Sequence, residues 1–119
     1  MKMKMFLSMA VILCVLTLRL AAQDPVKAAP AAFKEKLNNE HVRVIEYQSK
    51  PGDKEGMHSH AAGVIYVVKG GKLKFVNSDG TTKEVEFKTG DVLWRDAVTH
   101  TAENVGNTEM KAILVEQKK

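Results

Sequence analysis

The sequence predicts an all-β domain, closed or sandwiched, built of antiparallel sheets. Three observations predict it. From residue 41 onward, short apolar and β-branched runs alternate with turn signals roughly every 8 to 12 residues. No segment there carries a sustained helical period. The connections are also too short for the helical crossovers that parallel strands require, which run to about a dozen residues. The chain has 119 residues, enough for one domain.

About seven strands can be placed in order. In 42–47, Val42, Val44 and Glu46 alternate with Arg43, Ile45 and Tyr47. Pro51-Gly52-Asp53 breaks the chain. The run 64–68 is β-branched and aromatic, which suits a pleated surface. Gly70-Gly71 ends it, and Leu73 and Phe75 lie on the next strand. Asn77-Ser78-Asp79-Gly80 reads as a hairpin turn, and Val85 and Phe87 alternate with charges on the return strand. After Thr89-Gly90-Asp91 come short strands at 92–95 and 98–103. Gly106-Asn107 turns the chain into the last one, 110–116. A β-domain of this size has a thin core, and dimerisation through sheet edges is expected to support it.

The first stretch stands apart. Lys2 and Lys4 precede an apolar run over 6–18, broken only by Ser8 and Thr17, and Ala21-Ala22 leads to polar Gln23 and Asp24. A basic start, an apolar middle and a small-residue exit describe a secretory signal peptide, residues 1–22. The run is short for a membrane span of about 20 residues. The expected location is therefore periplasmic or secreted, with no stable membrane insertion after cleavage. Cys14, the one cysteine, falls in this segment, so the domain itself has no thiolate chemistry and no disulfide. Without Lys2, Lys4 and Arg19 the domain has 15 basic residues against 14 acidic, a formal charge of +1. The basic residues are scattered, which argues against a nucleic-acid surface. Residues 23–39 read as a lead-in, flexible over the proline- and alanine-rich 23–32 and forming one or two helical turns over 33–39; the β-domain occupies 40–119.

Histidines carry the candidate chemistry. His58 and His60 in Gly56-Met57-His58-Ser59-His60 would point to one face of a strand, since side chains two apart share a face. His100 sits on a later strand that an antiparallel barrel can bring alongside. Neutral imidazole suits zinc, copper, iron and nickel. A His-x-His pair alone recurs by chance in surface loops, so the bland reading is a pair of unrelated or vestigial imidazoles. His41 has no partner at ligand spacing and reads as a surface residue. Met57, Tyr66 and Trp94 are expected to fill the core rather than line a cavity mouth. Asp91 and Asn104 are expected to tie turns, and Glu103, of opposite parity to His100, to be a solvated charge.

The context of these histidines resembles the cupin family. Its first motif runs glycine, five residues, His-x-His, three or four residues, glutamate, six residues, glycine. Here Gly52 precedes His58-Ser59-His60 at that spacing, and Val64 stands in the glutamate position. The second motif begins with glycine and aspartate and ends His-x-x-x-Asn. Here Gly90, Asp91, His100 and Asn104 match, while Asp96-Ala97-Val98 replaces the family's Pro-x-Gly and the segment is one residue shorter. With its strands the resemblance spans 42–116 and implies a jelly-roll β-barrel.

Carried over by position, the resemblance implies that His58, His60 and His100 ligate a divalent metal ion: zinc, iron, manganese or copper. Val64 has the strand parity of the first two histidines and is expected to face the same cavity, leaving three neutral ligands with nothing anionic beside them. Three-histidine cupins occur among thiol and diketone dioxygenases, so the resemblance admits an oxygenase-like enzyme acting on a small molecule. It equally admits a non-catalytic binder of a sugar or metabolite with a vestigial or structural metal site. No general base is evident beside the histidines. A homodimer is the expected assembly.

Overall fold

The computed structural model describes residues 23–118, so the expectations for 1–22 lie outside the described residues. Among the described residues, one short helix, α1 (Pro25–Ala28), precedes nine strands: β1 (Phe33–Asn38), β2 (Val42–Ser49), β3 (Lys54–His60), β4 (Gly63–Lys69), β5 (Gly71–Asn77), β6 (Thr82–Phe87), β7 (Val92–Arg95), β8 (Val98–Asn104) and β9 (Met110–Gln117). They form a five-stranded sheet in the order β1-β2-β9-β4-β7 and a four-stranded sheet in the order β3-β8-β5-β6. Every strand pair is antiparallel. No helix among the described residues is long and apolar enough to cross a membrane.

The core lies between the sheets, and strand parity decides which residues enter it. On β9, Met110, Ala112, Leu114 and Glu116 point inward and the residues between them outward. Ile45 and Tyr47 of β2, Ile65 and Val67 of β4, and Leu73 and Phe87 from the opposite sheet complete the apolar filling. Gly52 and Gly90 adopt φ near +90°, where a Cβ is strained, so the glycines of the two motifs are set by the turns they make.

The lead-in departs from expectation over 33–38. Residues 33–38 form an edge strand, not helical turns. Phe33 and Leu37 are four apart, a helical spacing, and Lys and Glu between them favour helix. Pairing with β2 overrides that preference, and a register shift between Glu35 and Leu37 places Phe33 inward opposite Tyr47 and Leu37 outward opposite Val44. The segment before it makes specific contacts. The Asp24 carboxylate accepts from the backbone N–H of Val26 and Lys27 at the start of α1. Arg43 grips the same carboxylate with two nitrogens and reaches Glu35 through Nε at 2.7 Å. The Ser59 N–H donates to the Gln23 carbonyl, which lays the chain along β3.

Three apolar residues expected in the core are exposed instead: Met57 (40%), Tyr66 (45%) and Trp94 (59%). Met57 falls in the register shift of β3 between Glu55 and His58. Tyr66 and Trp94 have outward parity on β4 and β7. His41 is exposed beside Glu40, as expected. Asp91 caps its turn by accepting from the Lys88 N–H.

Candidate metal centre

The four-stranded sheet builds the histidine cluster. His58 and His60 share the inward face of β3, and β8 runs beside it with His100 directly opposite His58. The three rings meet edge to face, with centroids 4.8 to 5.5 Å apart, and all three residues are buried. One nitrogen from each lies within 4.8 Å of the others. Two nitrogens bound to one ion at about 2.1 Å can be at most about 4.2 Å apart, so small ring rotations bring the three onto a common centre.

The second nitrogen of each β3 ring is already committed. His58 Nδ1 donates to the Gly56 carbonyl at 2.6 Å, and His60 Nδ1 donates to Glu116 Oε2 at 2.7 Å. These bonds fix the tautomer in which Nε2 carries a bare lone pair. His58 Nε2 is fully buried and has no hydrogen-bond partner. An unsatisfied buried acceptor is costly, and a metal ion is a partner that suits it beside two further imidazoles. Burial holds the His60 imidazole down to about 2 and the His100 imidazole down to about 3, and lowers His58 as well. All three are therefore neutral near pH 7, the form that ligates.

The expectation for Val64 is overturned. The turn at Ala61-Ala62 resets the parity, so Gly63, Ile65 and Val67 point inward and Val64 outward. Ile65 lines the cavity beside the three histidines. The carboxylate comes from elsewhere: Glu116 on β9, across the barrel, buried and hydrogen-bonded to His60. Its inward position was visible as the end of the alternating run 110–116, but nothing in the sequence linked it to a histidine. Arg95 of β7 was also missed. It lines the same cavity and pairs with Glu116 through Nη2 at 3.6 Å. Its charge adds to the depression of all three imidazoles.

The remaining walls are mostly apolar. Phe33 packs against His58 and His60 at 5.1 and 5.5 Å, and Phe75 stacks on His100 at 4.6 Å. The cavity at the histidines has a volume of about 40 Å³. On the same cavity wall, the Tyr47 hydroxyl donates to Glu55 Oε1 at 2.9 Å. Burial raises the Glu55 carboxyl to about 7. Asn104 is buried and spans β8 and the following turn, bonding Ser49, Thr108 and the Gly106 N–H.

The sequence model of the cupin domain matches residues 45–116. The chain belongs to the cupin family. A search of curated proteins finds no match to it. Among solved structures, a cupin domain from Bordetella pertussis Tohama I is similar with 22% identity and a TM-score of 0.67, covering 84% of this chain and 99% of that one. An RmlC-like cupin with a double-stranded β-helix fold from Methanocaldococcus jannaschii gives 16% identity and 0.59, covering 84% of each chain. Oxalate decarboxylase of Bacillus subtilis, studied for its Mn(II) centres, gives 21% and 0.51 over 66% of this chain and 22% of that one. At these identities the likeness establishes the fold. This cupin thus has a jelly-roll barrel and a three-histidine cluster that could hold a metal.

Proposed function

We propose that this cupin holds one divalent metal ion on His58, His60 and His100 and uses it on a small molecule, as an oxygenase-like enzyme. The observation that carries the reading is the buried, partnerless Nε2 of His58 in a cluster where the His58 and His60 tautomers are fixed from behind. A bound ion would supply Lewis acidity or a redox centre. Three protein ligands leave coordination positions free for water or substrate. The Mn(II) centres of the structurally similar oxalate decarboxylase make manganese a candidate beside zinc, iron and copper. Export is part of the proposal and rests on the pattern of 1–22; cleavage after Ala22 would leave Gln23, which pairs with β3, as the first residue.

Elemental analysis of the untagged protein tests this. One divalent ion per chain is expected, and it is lost in a His58→Ala/His60→Ala variant. A metal-free protein with unchanged stability in chelator would overturn it. A second reading, a binding module without turnover, is favoured by the cavity wall, whose only hydroxyl among the described residues, on Tyr47, is engaged by Glu55. Stoichiometric metal with no oxygen uptake across thiols and diketones would select it.

A second copy of the chain is the proposed partner, and it docks on the outer face of the five-stranded sheet. Leu37, Val44, Val115, Val64 and Trp94 lie in one row across all five strands, with Ile113, Tyr66 and Val92 in the next. Five strands about 4.8 Å apart and roughly seven residues long at about 3.3 Å each present about 550 Å² per copy. Two such faces reach the roughly 1,000 Å² of a specific interface. Light scattering should give twice the chain mass, and Trp94→Glu should give a monomer; a monomeric wild type overturns the assignment.

A further inference from the structure

Among the described residues, the guanidinium of Arg95 is the one cationic group in the wall of the histidine cavity. One of its nitrogens is held by Glu116, while Nε is fully buried and has no partner. A guanidinium offers five N–H donors in a planar fork that fits a carboxylate with two bonds. The surrounding wall is aromatic and aliphatic apart from the histidines, so no side chain in it supplies the missing acceptor. An incoming ligand would. With a divalent ion bound, Glu116 offsets only one of three positive charges, which favours an anion.

Space decides what is attached to that anion. The 40 Å³ chamber accommodates little beyond a head group. Arg95 and His100 also line a second cavity of about 340 Å³, which opens outward between β4, β7 and β5-β6. Ile65, Phe75, Val85, Phe87, Leu93, Trp94 and Val98 form its walls, with Asn77 and the cationic Lys83 as the other polar members. Arg95 therefore stands at the junction between the histidine chamber and an apolar vestibule.

We propose that the ligand of this cupin is a monocarboxylic acid with an apolar body, its carboxylate clamped by Arg95 beside the histidines and its body in the vestibule. The proposal deepens the metal reading and rests on it for what the carboxylate meets on its far side, but the clamp belongs to the protein itself. Binding of acetate, hexanoate, benzoate, oxalate, hexanamide and benzamide is measured by calorimetry on metal-loaded and metal-free protein, with metal content determined on each sample. Hexanoate and benzoate should bind at least tenfold more tightly than acetate or oxalate, and their amides at least tenfold more weakly than the acids. Arg95→Gln should cost the acids about 10- to 100-fold, the range for hydrogen bonds to a charged group, with metal content unchanged. If that variant does not fold, the contrast between each acid and its amide in the wild type carries the test.

Amides that bind as well as acids, or a folded Arg95→Gln that keeps wild-type affinity, would overturn the clamp. Oxalate outranking both larger acids would overturn the apolar body. Acid binding to a protein that takes up no metal would leave the clamp standing and remove the metal reading instead.

Discussion

His60 Nδ1 and Glu116 Oε2 lie 2.7 Å apart between opposite sheets, both side chains buried. The carboxylate orients the ring, sets its tautomer and makes Nε2 more basic. Glu116→Gln keeps the shape and removes the charge. Metal affinity should fall about 10- to 100-fold, the usual range for loss of such a partner. Titration against a competing chelator measures it, and an unchanged affinity would mean that Glu116 serves only Arg95.

Val64 and Ile65 separate parity from position in a motif. Ile65 faces the histidines, whereas Val64 faces outward, opposite Trp94 and Val115. Ile65→Glu should therefore add an anionic ligand, raising metal affinity while destabilising the metal-free protein through an uncompensated buried carboxyl. Val64→Glu should leave metal affinity unchanged and weaken dimerisation. Melting temperatures with and without metal distinguish the two, and metal-dependent stabilisation from Val64→Glu would contradict the register.

The histidines were legible because their chemistry and spacing are local: two residues apart on one strand, and one within a motif bounded by glycine and asparagine. Whether they meet depends on β3 pairing with β8, which follows from the closed fold. Glu116, Arg95 and Phe33 were not legible as site residues, because each comes from the other sheet and reaches the cavity only through long-range packing. The turn at Ala61-Ala62 misled the parity count at Val64, since alternation carries across a strand but not through a turn. Tyr66 and Trp94 were assigned to the core on composition, yet an apolar residue on the outer face of a sheet has the same sequence signature as one on the inner face if its neighbours are also apolar. Residues 92–94 are such a run.

Asn104 ties three segments with one side chain. Its Nδ2 donates to the Ser49 carbonyl, Ser49 Oγ and the Thr108 carbonyl, while Oδ1 accepts from the Gly106 N–H. Asn104→Ala should cost about 2–4 kcal/mol, because buried partners lose their bonds together. Asn104→Asp should cost more near pH 7. It keeps the acceptor but turns a carboxylate towards two carbonyl oxygens. Chemical denaturation at pH 7 and pH 4 should show the Asp variant regaining stability relative to Ala at the lower pH.

Glu55 gives the barrel a pH-dependent weakness. It is almost fully buried, and burial, with a smaller push from Asp53, raises its carboxyl to about 7 against the pull of the Tyr47 hydroxyl. A raised folded value means that the folded state keeps a proton the unfolded chain has released. The contribution to stability is full below the unfolded value of 4.5 and is lost as pH rises to about 7. Across that window the loss is on the order of 2–3 kcal/mol. Glu55→Gln retains the oxygen that accepts from Tyr47 and cannot ionise. It should match the wild type at pH 4 and exceed it by roughly that amount at pH 8. Urea midpoints of the two proteins in parallel buffers give the comparison, and a constant gap across the range would show that Glu55 does not titrate there.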